Sequence, residues 1–165
     1  EDWGILEDGA YSIYDNDPAN VEVYGNLYNW YAVDDDRGLC MEGWHVPSIE
    51  EITILIEYLG GESIAGGKMK STGTIEDGDG LWNYWSDEIS EEVSNESGFN
   101  SHPAGFRDDD GYYVNLGMQT LYWATWNNHK FSAGRILFYD NNSVDRVINI
   151  ASYNATGASV RCLKD

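Results

Sequence analysis

Basic residues are scarce in this chain of 165 residues. Nine Lys and Arg stand against 29 Asp and Glu, a formal net charge of −20. Neutralising nucleic-acid phosphates takes clustered Lys and Arg, so no nucleic-acid partner is expected. An anionic membrane surface is disfavoured for the same reason. Long apolar runs are missing too. Nothing approaches the ~18 consecutive apolar residues of a membrane span, so no membrane insertion is expected. Proline occurs only at Pro18, Pro47 and Pro103. Cysteine is limited to Cys40 and Cys162, 122 positions apart, which rules out a Cys-x-x-Cys redox or metal motif. In an oxidising compartment the simplest reading is one long-range disulfide, the alternative being two buried free thiols.

What the chain does contain is an unusual set of rings. Seven Trp and twelve Tyr stand beside only four Phe, with 18 Gly. Trp and Tyr carry a polar tip on an apolar body and serve half-buried positions and contact surfaces. Together with Gly, Asn and Ser they make adaptable binding loops. The length fits a single domain over residues 1–165, with 1–13 as an N-terminal extension. A chain of this size removes about 70% of its unfolded surface from water, enough for a real core. The acidity reads as solubility before it reads as divalent-cation binding. With neither an initiator Met nor a signal peptide, the chain is expected to be a mature or excised domain.

The pattern along the chain predicts helices first and strands afterwards. Val23 to Val33 (VYGNLYNWYAV) has helical apolar spacing despite Gly25. Ser48 and Glu51 form a capping box ahead of an apolar face of Ile52, Leu55, Ile56 and Leu59, and Gly60 and Gly61 stop that helix. Residues 66–80, rich in Gly and Asp, predict a loop. From residue 95 onward short apolar runs alternate with Asp/Asn turns, at 111–114, 121–124, 135–139, 144–150 and 158–162, which are strand and hairpin signals. The order is α+β.

Several motifs match a known pattern. They are Tyr24 to Val33 (YGNLYNWYAV), Gly38 to Ser48 (GLCMEGWHVPS), Leu59 to Gly61, Ala65 to Lys70 (AGGKMK), Asn95 to Phe99 (NESGF) and Ser159 to Asp165 (SVRCLKD). Together they resemble the Fibrobacter succinogenes major paralogous domain, from about Tyr14 to the end of the chain. Where that family usually has Cys-Pro, this chain has Cys40 and Met41, read as a loss of stiffness. The family is similar in turn to formylglycine-generating-enzyme-like domains, through the helix start at Val46 to Glu51 and the end at Ala158 to Cys162. The resemblance implies a C-type-lectin-like fold of two helices followed by short antiparallel strands and long loops. It also implies that the termini come together, in keeping with a Cys40–Cys162 bridge. It implies an extracellular or cell-surface bacterial module, whose C-terminal half presents a variable ligand surface in the proteins that diversify it.

An enzyme is not expected. An oxidase of the formylglycine-generating kind needs reactive thiols, and no third cysteine exists beside the bridge. His45, His102 and His129 lie apart, outside any Gly-x-Ser-x-Gly elbow or His-Glu-x-x-His helix, and His45 reads as a packed structural residue. A glycosidase pair could be drawn from so many acids that the sequence supplies no evidence for one. The oxygen-rich loops make Asp108 and Asp110 calcium candidates, with no other cofactor expected. The sugar-binding proline tripeptide of calcium-dependent lectins is missing.

A contact surface remains. The expected ligand-binding residues are Trp123, Thr125, Trp126, Asn127, Asn128, Lys130, Arg135, Tyr139, Asn141, Asn142, Asp145, Arg146, Asn149, Tyr153 and Asn154. Aromatic planes beside amides and charges suit sugar faces or protein hot spots. The expected function is non-catalytic recognition of a glycan or protein through this C-terminal face. The alternatives are a structural or assembly role, or a cryptic oxidase-like enzyme.

Overall fold

A computed structural model describes residues 3–84, 86–126, 131–148 and 154–165. In chain order they form β1 (Tyr11–Ser12), α1 (Ala19–Tyr24), β2 (Leu27–Tyr28), α2 (Trp30–Val33), β3 (Trp44–His45), α3 (Ile49–Tyr58), α4 (Glu62–Met69) and α5 (Asp87–Glu91). The strands β4 (Phe106–Arg107), β5 (Tyr113–Val114), β6 (Gln119–Trp126), β7 (Phe131–Phe138), β8 (Val144–Ile148) and β9 (Leu163–Lys164) follow. The β6-β7-β8 meander is the central sheet. The pairs β1-β2, β3-β9 and β4-β5 are small antiparallel ribbons around it.

The capping box forms as predicted. The Glu51 amide donates to Ser48 Oγ at 3.2 Å, and the Ser48 amide donates back to Glu51 Oε2 at 2.8 Å. That satisfies two of the amides a helix start leaves unpaired. The apolar stripe of α3 and the small residues of α4 cover one face of the central sheet. Ile56, Leu59, Ala65 and Met69 pack there with Trp82, Tyr122, Leu137 and Val144. On the other face Leu121 and Trp123 meet Trp30, Val33, Val46 and Ala158. Residues 120–125 of β6 are therefore buried on both sides. The free edge of β6 is covered as well, by single bridges from Ser48, Gly105 and Ser159, which removes an exposed template for edge-to-edge pairing.

Two local expectations are corrected. The predicted helix over 23–33 is instead the end of α1, then β2, then α2. Gly25 takes φ 77 and ψ −165, which ends α1, and Asn29 opens a new turn by accepting the Ala32 amide at 3.1 Å. Only α2 buries apolar side chains, Trp30 and Val33, whereas α1 buries none. The loop predicted from residue 66 begins later, because α4 runs on to Met69 through Gly66 and Gly67. Glycine in a helix costs roughly 1 kcal/mol against alanine. Here close approach requires it: the Gly66 amide donates to Asn142 O at 2.9 Å, and a Cβ on Gly66 would lie 2.4 Å from Ser143 O.

The predicted strand over 158–162 is a stub. Ser159 exchanges backbone bonds with Leu121 and Trp123 at 2.9 Å each, and the regular pairing, with β3, comes only at Leu163–Lys164. Between the two lies Cys162, joined to Cys40 with Cα atoms 5.9 Å apart. Among the described residues no helix is long and apolar enough to cross a membrane.

Candidate functional site

The described residues of the expected C-terminal contact surface do not share one surface. Side chains alternate across a strand, and in a sheet covered on both faces the alternation sends them into two separate cores. Trp123 is 0% exposed, edge-on to Trp30 at 5.4 Å, with its Nε1 donating to Tyr28 O at 2.7 Å. Thr125 is also buried. Arg135 points to the opposite face and is 2% exposed; it donates to Glu62 Oε1 at 2.6 Å and to Thr53 Oγ1 at 2.8 Å. Asn142 is buried and donates to Glu92 Oε2 at 2.8 Å. These four are interior residues of the fold.

Of the other expected residues, Asn141 Oδ1 closes its own turn by accepting from the Ser143 amide and hydroxyl. Asp145 is exposed and accepts from the Ser143 hydroxyl. Trp126 is half-buried beside the cluster of Ile49, Ala124 and Ala133. Asn154 is half-buried, and its carbonyl accepts from the Trp30 amide. Tyr139 lines a cavity of ≈ 150 Å³ with Lys70, Thr74, Asp77 and Trp82. There the buried Lys70 ammonium donates to Asn141 O at 2.5 Å and lies 5.1 Å over the Trp82 ring, and burial lowers its pKa to about 8. Asn127, Asn128, Lys130, Asn149 and Tyr153 lie outside the described residues, as does His129. For Arg146 the backbone alone is described, opposite Arg135. Asp108 Oδ1 accepts from the Tyr112 amide and Asp110 is exposed. Among the described residues no three His, Cys, Asp or Glu gather to hold a metal ion.

Among the described residues a large concavity lies beside the disulfide. It is a groove of ≈ 640 Å³ lined by the α1–β2 segment, by residues 159–162, by Met41 and Trp44, and by Asn100 and His102. Its size falls in the range of about 300–1,000 Å³ usual for ligand sites. Four exposed apolar side chains converge on it: Val21, Val23, Met41 and Trp44 are 37%, 40%, 69% and 39% exposed. Two residues that line it, Ser159 and Asn26, each carry a buried side-chain oxygen with no hydrogen-bond partner, enclosed beneath the surface of the groove. Leaving such an atom unpaired costs about 1–3 kcal/mol.

The walls are held rigidly. His102 Nδ1 lies 2.6 Å from Val23 O and its Nε2 lies 3.2 Å from Asn100 Nδ2. Because Val23 O can only accept, Nδ1 carries the proton and Nε2 accepts. Asn100 is pinned in turn by Asn95 through two hydrogen bonds. On the floor, Tyr122 meets Phe99 edge-on at 5.3 Å, and the Arg161 guanidinium sits 5.0 Å over Phe99. The Cys40–Cys162 bond ties the Met41–Trp44 wall to the 159–162 wall. Met41, read from sequence as a loss of stiffness, is therefore a lining residue. The signal available for this site was the surplus of Tyr and Trp around residues 24–44, which helical spacing claimed for a core.

His45 fastens the same corner. It is structural, through hydrogen bonds more than packing, since its side chain is 38% exposed. Nδ1 lies 2.6 Å from Asp165 Oδ1 and Nε2 lies 3.1 Å from Glu51 Oε1. The bond to Asp165 raises the His45 pKa above the ordinary 6.5; burial opposes the rise and Glu51 adds to it. The Ser48 amide holds Glu51 below its ordinary 4.5. A raised histidine stabilises the fold fully below pH 6.5 and loses that contribution as pH climbs through its folded value. A lowered carboxylate contributes above 4.5 and loses it on acidification. The melting deficit of His45→Gln relative to the parent is thus expected to be largest between these two values and to shrink above pH 6.5. Melts in steps from about pH 5 to about pH 9 test this, and a deficit independent of pH would refute it.

The chain matches the family model of the Fibrobacter succinogenes major domain over residues 4–164. It belongs to that family, which is named for a bacterium. Comparison with curated proteins and with solved structures found no match.

Proposed function

We propose that this domain is a non-catalytic recognition module of C-type-lectin-like architecture, extracellular or displayed on a bacterial surface, and that its glycan or protein ligand seats in the groove beside the disulfide. The observation that carries this reading is the convergence of four exposed apolar side chains on one concavity. Scattered exposed apolar residues mean little, whereas a contiguous set rimmed by polar groups marks an interaction site. The disulfide supports an oxidising compartment, and it leaves neither sulfur free as a nucleophile.

Trp44→Ala tests the reading. As an exposed substitution it should move the melting temperature by no more than about 2 °C. Binding on a glycan array and in pull-downs should weaken by about tenfold or more, as for a hot-spot aromatic. Retention of the same ligands by parent and variant would sink the groove as the site. Ready self-association with no ligand bound would favour an assembly role instead.

A further inference from the structure

We infer that the binding surface does not end at the groove but continues past Tyr28 into a second concavity, and that the two together take an extended, uncharged saccharide chain. This deepens the groove reading and rests on it. Tyr28 lines both hollows. On its far side the second hollow, ≈ 340 Å³, is bordered by Tyr11, Ala32, Arg37 and Leu39. Tyr11 is 64% exposed, and its ring lies 6.0 Å from that of Tyr28, inclined at 45°. The two rings are therefore not stacked flat on each other, and their faces remain available. With Trp44 in the groove, three aromatic residues are set along one track.

The chemistry of the lining selects the occupant. Although the chain carries a net charge of −20, the track is nearly neutral. Arg37 is paired with Asp35 at 2.5 Å, and among the described residues the groove is lined by one acid, Glu22, and one arginine, Arg161, placed over the Phe99 ring. An anionic polymer would be repelled by the rest of the surface, and among the described lining residues a cationic one meets only two carboxylates, Glu22 and Asp35, the second already paired with Arg37. Asn26 and Asn100 line the groove with side-chain amides, which both donate and accept. A sugar hydroxyl donates and accepts, and the apolar faces of pyranose rings match exposed Tyr and Trp planes.

The test is titration calorimetry with the disulfide-intact domain and uncharged cello-, xylo-, manno- and chito-oligosaccharides from mono- to hexasaccharide. For one series, affinity should rise by about five- to tenfold as the chain grows long enough to cover a further ring. Tyr11→Ala should abolish that gain while leaving disaccharide affinity unchanged. Equal affinity for di- and hexasaccharide, or a Tyr11→Ala variant that keeps the gain, overturns the extended track and leaves the groove reading standing. If no oligosaccharide binds but a protein is retained in a Trp44-dependent way, the saccharide is overturned and the groove stands. If neither is retained, both fall.

Discussion

Reduction and alkylation of Cys40 and Cys162 should lower the melting temperature by about 10–20 °C. In the chain-entropy model, closing a loop as long as this one, whose two cysteines stand 122 positions apart, is worth about 5 kcal/mol. A domain of this size shifts by about 2–4 °C per kcal/mol. Little else holds the two segments together. The β3-β9 ribbon has two residue pairs, and the His45–Asp165 contact is substantially exposed. The bridge also sets the spacing of the groove walls, so ligand affinity should fall with the melt. Cys40→Ser paired with Cys162→Ser should reproduce both effects. An unchanged melt after complete alkylation would show that noncovalent packing alone retains the chain end.

Trp123→Ala should cost about 3–5 kcal/mol, the range for truncating a buried large aromatic. The ring is fully enclosed, its Nε1 has a backbone acceptor, and it fills the space between Trp30 and the central sheet. Denaturant unfolding should show a lower midpoint with an unchanged slope. The contrast with Trp44→Ala is the informative part. Two tryptophans 79 positions apart in the chain are expected to separate cleanly, one lowering stability and the other lowering binding. A Trp123→Ala variant that melts like the parent but no longer binds would restore the sheet face as the ligand surface.

How far the sequence could be read depended on how local the governing physics was. The α3 start was legible because a capping box is complete within four residues, and its end because Gly60 and Gly61 follow the last apolar position. The strand runs predicted at 121–124, 135–139 and 144–150 were legible from short apolar runs between Asp/Asn turns, and they fall on β6, β7 and β8 as far as Ile148. The break at Gly25 was visible as a residue but not as a break, since helical spacing continued through it. Gly66 looked like loop because the reason for a glycine there, the carbonyl of Ser143, sits in a turn far along the chain.

The site was less legible than the fold for a related reason. Trp123, Arg135 and Asn142 have the residue types of a contact surface, and only the covering of both sheet faces shows that they are interior. Tyr28, Met41, Trp44 and Ser159 come from three separate stretches of chain, and no spacing rule joins them.

The sequence by itself determined the family, the acidic character that turns away polyanions, the capped helix and the pair of cysteines available for a bond. Those properties are written in composition, in adjacent residues or in motifs kept in order. Which aromatic rings are core and which are exposed was decided only by tertiary structure. Burial is settled by what packs across a strand or a disulfide, and those neighbours come from distant parts of the chain.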